Sequence, residues 1–455
     1  MNYLEILMDD KLSWTQHVHQ LRNKVGNLFA WCAKVARRDW GLSGEVLKKM
    51  HTGAIIPMVT YGAAAWSHKT TQIHIKRKLI SLQRTMLLRI TRAYRTVSND
   101  ALHVLAGILP MDMEVRKKHD IYYLRTYNMI PAYLTDQFEE VEQITPAMER
   151  LNIRDIPVIN TTKYVRTRKK RIYTDGSRDS HGTGAAMVYY YINKKQYHQR
   201  WRLHKNCNNY QAELLAIHRA VKWITTAKSC DTIYICSDSQ SALAALEDFT
   251  SKNTTVQDIW RMLLQNNNNN QIVFSWVKAH SGNVGNERAD ALAKLACQQD
   301  TMVSYSKVSQ QCIKYHIKLY YLSSWQLLWQ SSPKGRCLHS FLPDVHQRIC
   351  LSHLGIGHFV LAFLTGHGNF GRYLQEYGHL STDLCSDCGE PEDPDHVLFD
   401  CIRLERDRYE LKIVCEEENL QWPATKPSII NNARLYSILY RMIIKYNSMK
   451  NEHIV

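Results

Sequence analysis

Long apolar runs are missing from this 455-residue chain, which nowhere holds the roughly 18 consecutive apolar residues that a membrane-spanning helix needs. Its start lacks the charged stretch and apolar core of a secretory leader. A soluble intracellular protein, nuclear or cytoplasmic and without a membrane span, is therefore expected. Cysteine is present but not in framework spacing. Most of the twelve, such as Cys32, Cys207, Cys236 and Cys297, stand singly in apolar surroundings, as core thiols of a reducing compartment do; only Cys385 and Cys388 are close together. Acid is in short supply too. Against 58 Lys and Arg there are 42 Asp and Glu, a net charge of +16, which favours a polyanionic partner: nucleic acid ahead of an acidic membrane surface.

What is present divides by pattern, and length alone asks for roughly two to four domains. Trp14, Val18, Leu21, Val25, Leu28, Cys32 and Val35 recur at steps of three and four, one face of a helix from 14 to about 36. A second helix is expected from about Gln72 to Arg95. Its apolar stripe is Ile75, Leu79, Leu82, Met86 and Ile90, and Arg84, Arg89 and Arg92 lie largely off it. Those arginines form either a solvated face or a grip on a nucleic-acid backbone. From 131 to 166 the pattern is irregular and reads as a linker, running into KYVRTRKKR, whose Arg168, Lys169 and Lys170 offer further phosphate contacts. The expected layout is a helical region at 1–130, the linker at 131–166, an α/β domain at 167–300, a helical connector at 301–380, and a cysteine-histidine segment with terminal helices at 381–455.

Beyond the linker the period shortens. Arg171–Asp175, Ala185–Ile192 and Gln196–Leu203 alternate as three strands, followed by a helix from about Gln211, a strand at Thr232–Asp238, another helix, an asparagine tract, a strand at Ile272–Ala279 and a helix from about Asn286. This order describes a mixed five-stranded sheet with flanking helices. Asp175 closes the first strand, Glu213 falls in the first turn of the first helix, Asp238 closes the fourth strand, and Asp290 lies early in the last helix. Strand C-termini and helix N-termini meet at one edge of such a sheet, so four carboxylates can converge there. Like charges so gathered need cations, and Mg²⁺ suits carboxylate and phosphate oxygens.

The stretches YTDGS, QAELLAI, CSDSQSAL and WVKAHSGNVGNERADALA resemble, in order, the four catalytic blocks of ribonuclease H. The resemblance implies that Asp175, Glu213, Asp238 and Asp290 hold two Mg²⁺ or Mn²⁺ ions about 3.5 to 4 Å apart. Asp175 would bridge both, Glu213 and Asp238 would share one, and Asp290 would complete the other. His280, in a loop with Ser281, Gly282 and Gly285, would assist proton transfer or product release. Glu213 has a second implied duty, contact with the 2′ hydroxyl that separates RNA from DNA. Singly, Glu213 or Asp290 reads more readily as a carboxylate favoured by a helix dipole than as a ligand; five positions in four ordered blocks do not.

Further on, Cys385, Cys388, His396 and Cys401 spell C-x2-C-x7-H-x4-C, with Gly389 after the second cysteine. Three thiolates and one imidazole make a closed, structural zinc set; unmetallated thiols are the alternative. Asp383, Asp387, Glu390, Glu392, Asp393 and Asp395 crowd the same loop, so a stabilising staple for one Zn²⁺ fits better than a nucleic-acid reader. YLEILMDDKLSW, TYGAAAW, AYRTVSNDALHVLAGILPMD and FLTGHGNFGRYL are similar to the region downstream of the polymerase in insect non-LTR retrotransposons of the Jockey-like group. There a thumb-like region, ribonuclease H and a cysteine-histidine tail follow a reverse transcriptase. LMDD at Leu7–Asp10 looks like a polymerase box, yet only eight residues precede Asp9, so it is read as a strand end and helix cap. DNA synthesis is not carried over. The leading expectation is a nuclease cutting the RNA strand of an RNA/DNA hybrid, with an upstream reverse transcriptase in the same polyprotein as a partner. The alternatives are a non-catalytic nucleic-acid-binding remnant and a transposase or integrase, which would need a glutamate where this chain has Asp290.

Overall fold

The computed structural model describes residues 1–35, 42–162, 169–192, 194–226, 231–266, 271–298, 302–354 and 357–452. The side chain of Cys32, Arg168 and most of the asparagine tract lie outside the described residues. Among the described residues no helix is long and apolar enough to cross a membrane. The chain forms two compact units, residues 123–316 and residues 1–122 with 317–455.

The 123–316 unit is built on strands β1 (Glu140–Val141), β2 (Thr161–Thr162), β3 (Lys170–Arg178), β4 (Thr183–Tyr191), β5 (Lys194–Leu203), β6 (Thr232–Ser237), β7 (Gln271–Trp276) and β8 (Lys307–Val308). Its helices are α1 (Asn209–Thr226), α2 (Gln240–Glu247), α3 (Thr254–Leu264) and α4 (Val284–Gln298). The main sheet runs β2-β7-β6-β3-β4-β5, parallel from β2 to β3 and antiparallel from β3 to β5. It has six strands rather than the expected five. The extra one, β2, is two residues long, too short for alternation to show.

Alternation along β3 sends Ile172 to one face and Tyr173 to the other. Ile172 joins Met187, Leu214, Ile217, Ile235, Trp260 and Phe274 in a core under α1 to α3, whereas Tyr173 joins Ala186, Val188, Ala289, Leu292 and Ala293 under α4. As far as residue 162, the stretch read as a linker is packed chain, and residues 163–166 lie outside the described residues. Leu134, Phe138 and Val141 are buried, Leu151, Ile156 and Ile159 pack against the larger core, and β1 pairs in parallel with β8. Its apolar residues are spread too irregularly to show a period, because they serve a wrapping segment rather than one helix face.

The other unit joins the expected N-terminal and C-terminal regions into one body, where the sequence layout kept them apart. Thr96 Oγ1 meets His367 Nδ1 at 2.7 Å, His358 Nδ1 meets the Arg92 carbonyl at 3.0 Å, and Ser332 Oγ donates to Asp100 at 2.6 Å. Of the expected face, Trp14 just ahead of the helix Thr15–Val35 and Val18, Leu21 and Val25 within it are buried, Leu28 is half-buried, and the side chain of Val35, like that of Cys32, lies outside the described residues; in Ile73–Thr91, Ile75, Leu79, Leu82, Met86 and Ile90 are buried. Ahead of the first helix, Asp9 accepts from the Ser13 and Trp14 amides at 2.8 and 2.9 Å. This aspartate caps a turn.

Candidate functional site

Parallel pairing of β3 with β6 sets Thr174 opposite Ser237, so Asp175 and Asp238 follow side by side; Asp238 lies just past the end of β6, whereas Asp175 does not close its strand as expected, since β3 runs on to Arg178 in its pairing with β4. Gly176 brings α1 against the same edge; a Cβ there would collide with the Glu213 amide. Glu213 itself sits about one turn into α1, which begins earlier than expected, at Asn209. Carboxylate oxygens of Asp175, Glu213 and Asp238 lie within 4.8 Å of one another. Asp175 and Glu213 are only 5% and 4% exposed.

That closeness is costly for bare charges. Burial, then the Asp238 and Asp290 charges, push Asp175 up to about 8, against the pull of Lys294. Burial, then Asp175 and Asp238, push Glu213 up to about 9. Glu213 Oε2 is buried without a hydrogen-bond partner. A buried acceptor left open beside two further carboxylates fits a hard cation with oxygen ligands. Asp290 acts on both buried carboxylates from the margin of the cluster, bonded to Lys294 at 2.8 Å. His280 is exposed in the loop between β7 and α4, with φ of +49°. The structure thus gathers three of the five residues tightly, sets Asp290 beside them, and leaves His280 on a separate loop.

Two supporting residues escaped sequence reasoning. Asn286 in α4, 3% exposed, donates to Asp238 Oδ2 at 2.9 Å; a polar residue one turn before Asp290 was the only available sign. Glu142, beside β1, accepts from Gln211 Nε2 at 2.9 Å and Asn253 Nδ2 at 3.2 Å. It thereby ties down the start of α1, two residues before Glu213.

In the other unit, ligand atoms of Cys385, Cys388, His396 and Cys401 also lie within 4.8 Å of one another. Gly389, with φ of +69°, makes the left-handed turn after Cys388. The Cys385 carbonyl accepts the Gly389 amide at 2.9 Å, and the Cys388 sulfur accepts the Ile402 amide at 3.3 Å. Burial, then the neighbouring Cys385 and Cys388, push the Cys401 thiol up to about 12. His396 Nε2 is buried and unpartnered. Three sulfurs and an open imidazole nitrogen suit a tetrahedral soft-ligand ion. Four of the crowded acids have cationic partners: Asp387 with Arg403, Glu392 with Lys450, Asp393 with Arg372 and Asp395 with Lys426.

The basic residues are scattered. Arg84 donates to Asn99 and to the Arg95 carbonyl, so its guanidinium serves the fold. Arg89 is half-buried on the helix, Arg92 caps its end in a left-handed conformation, Lys169 is exposed, and Lys170 pairs with Asp231.

A family model described as RNase H matches residues 167–298. Ribonuclease H of Francisella tularensis subsp. novicida (strain U112) is 30% identical over 147 residues, covering 28% of this chain and 92% of that protein. The chain belongs to the ribonuclease H family. It is also similar to two Nasonia vitripennis proteins named retrovirus-related Pol polyprotein from type-1 retrotransposable element, R1 4 and R1 2. They are 36% and 28% identical over 125 and 171 residues, which are 28% and 37% of this chain. Those names bear out the resemblance to non-LTR retrotransposon polyproteins. The chain spans 31% and 42% of the length of these two relatives.

Proposed function

We propose that the 167–298 region is an endoribonuclease that cleaves the RNA strand of an RNA/DNA hybrid. The observation that supports this most is the trio Asp175, Glu213 and Asp238, the first two buried and the third half-buried, with Glu213 Oε2 open and Asp290 at its margin. When bound, a pair of Mg²⁺ or Mn²⁺ ions would supply Lewis-acid chemistry for water attack and for the leaving 3′ oxygen. Asp175, Glu213, Asp238 and Asp290 would hold them, Asn286 would fix the orientation of Asp238, and His280 would carry a proton from its exposed loop. Arg89, Arg92 and Lys169 remain candidate phosphate contacts, with Arg84 already engaged in the fold. One Zn²⁺ held by Cys385, Cys388, His396 and Cys401 would act as a structural staple.

The test is cleavage of a labelled hybrid by purified protein with Mg²⁺ or Mn²⁺, beside duplex DNA of the same sequence. The hybrid should be cut and the DNA spared, since the 2′ hydroxyl is what the site would read. Asp175→Asn and Asp238→Asn should each reduce cleavage to background while the fold persists. Tight hybrid binding without cleavage would instead favour a non-catalytic remnant, and equal cutting of both duplexes a nuclease of another class.

A further inference from the structure

Strand β5 ends the sheet, and its two faces differ. Tyr197 stacks on Trp223 at 5.9 Å and Trp201 packs beside Arg219, so one face is joined to α1. The other face follows from register. Lys195, His198, Arg200 and Arg202 stand across from Tyr190, Val188, Ala186 and Gly184. Tyr190, Val188 and Ala186 belong to the core under α4, which places the four basic residues on the α4 side.

Helix α4 adds Arg288 to the same patch. Burial first, then the charges of Lys195, Arg288 and Arg200, all positive, hold His198 below the ordinary histidine value, so it stands as a neutral hydrogen-bond donor among three cations. Lys195, His198, Arg200 and Arg288 are exposed, and among the described residues Lys195, Arg200 and Arg288 make no ion pair. Lysines on an edge strand serve to block unwanted strand pairing. That duty does not account for Arg288, which comes from a helix.

The patch is in register with the catalytic edge. Asp175 stands across from Ala186, and Ala186 across from Arg200; two strand spacings put the ends of this row about 10 Å apart. Helix α4 serves both ends, because its Asp290 acts on Asp175 while Arg288, two residues earlier, acts on His198. We propose that Lys195, His198, Arg200 and Arg288 form a second grip on the phosphate backbone of the hybrid whose RNA strand occupies the carboxylate site. The identity of the nucleic acid rests on the nuclease reading; the grip rests on the charge and register of β5 and α4.

Binding is measured by fluorescence anisotropy with labelled hybrid and the full chain in an Asp175→Asn background, so that no turnover intervenes. Each phosphate that is no longer neutralised should take about 0.9 from the slope of log affinity against log salt. The triple variant Lys195→Gln, Arg200→Gln, Arg288→Gln should therefore show a slope shallower by roughly 2 to 3 and bind at least about tenfold more weakly at low salt. Arg288→Gln alone, at an exposed helix position, should make it shallower by about 0.9 and guards against misfolding of the triple variant. Unchanged slopes in folded variants overturn the proposal. Should wild-type protein cut no hybrid while the slopes still fall, the nuclease reading fails and the grip stands; cleavage by wild type with unchanged slopes has the opposite meaning.

Discussion

The carboxylate cluster and the thiol cluster both gather ligand atoms within 4.8 Å, yet they are built in opposite ways. Asp175, Glu213 and Asp238 come from two strands and a helix whose positions are fixed by the two cores of the sheet. Cys385, Cys388, His396 and Cys401 come from one short stretch, with little apolar content of its own, tied by ion pairs to residues further along the chain. The first site has a frame that stands without an ion and leaves an acceptor open. The second is the one whose frame a bound ion would reinforce. Oxygen ligands select a hard, exchangeable ion and thiolates a soft, retained one. One arrangement suits chemistry and the other suits holding.

Crossed substitutions break this comparison most directly. Asp175→Asn should take hybrid cleavage to background without altering zinc content. Cys388→Ser should release about one equivalent of zinc, read by metal analysis, and loosen residues near 380–405, read by hydrogen exchange. Cleavage should survive in that variant, because the carboxylates lie in the other unit. If reduced, chelator-free wild-type protein carries no zinc, the staple is wrong. Abolished cleavage in a folded Cys388→Ser protein would show that the tail helps to hold substrate.

A smaller effect is expected at His280, outside the cluster. His280→Ala should slow cleavage by a factor within about 10² to 10⁴, the range of general acid-base assistance, and should leave a measurable rate above that of Asp175→Asn. A rate equal to wild type at every pH would remove the histidine from the mechanism.

What the sequence could show depended on the range of the interactions. The four blocks that carry Asp175, Glu213, Asp238 and Asp290 were legible because strand alternation and helical period show locally around each of them. The buried faces of Thr15–Val35 and Ile73–Thr91 were legible for the same reason. Strand β2 was not, since two residues carry no period. Nor was the union of residues 1–122 with 317–455, which rests on contacts such as Thr96 with His367. Arg84 could not be assigned inward either, since its partners, Asn99 and the Arg95 carbonyl, lie beyond the helix that carries it.

The pH dependence of stability sharpens the same contrast between the clusters. Asp175 rises from 3.8 to about 8 and Glu213 from 4.5 to about 9 in the folded protein. Between the unfolded and folded values the native state holds more protons than the unfolded one, so stability falls as pH rises from about 4 to 9. In metal-free protein, Asp175→Asn should therefore melt higher than wild type at pH 8, and the difference should vanish below about pH 4. Saturating Mg²⁺ should narrow the gap from the wild-type side, since ligand binding to the native state stabilises it. A melting temperature for Asp175→Asn below that of wild type at pH 8 would mean that the carboxylate is not strained by its neighbours.

The smallest expected effect lies outside the matched region 167–298, at Glu142. Its carboxylate accepts from Gln211 and Asn253, while the Glu142 amide donates to the Val308 carbonyl at 2.8 Å. The segments before and after the matched region are thus fastened to each other and to the start of α1. Glu142→Ala would leave Asn253 Nδ2 without its acceptor, whereas Gln211 Nε2 would keep the Lys307 carbonyl at 3.1 Å. The cost should be about 2 kcal/mol, or roughly 4 to 8 °C in a unit of this size. Glu142→Gln, which keeps a side-chain carbonyl acceptor and removes a charge that burial disfavours, should recover most of it. Because Gln211 stands two residues before Glu213, Glu142→Ala should also weaken the Mg²⁺ response of the melting temperature. A full Mg²⁺ response in Glu142→Ala would confine this residue to holding the flanking segments and leave the catalytic edge to the sheet alone.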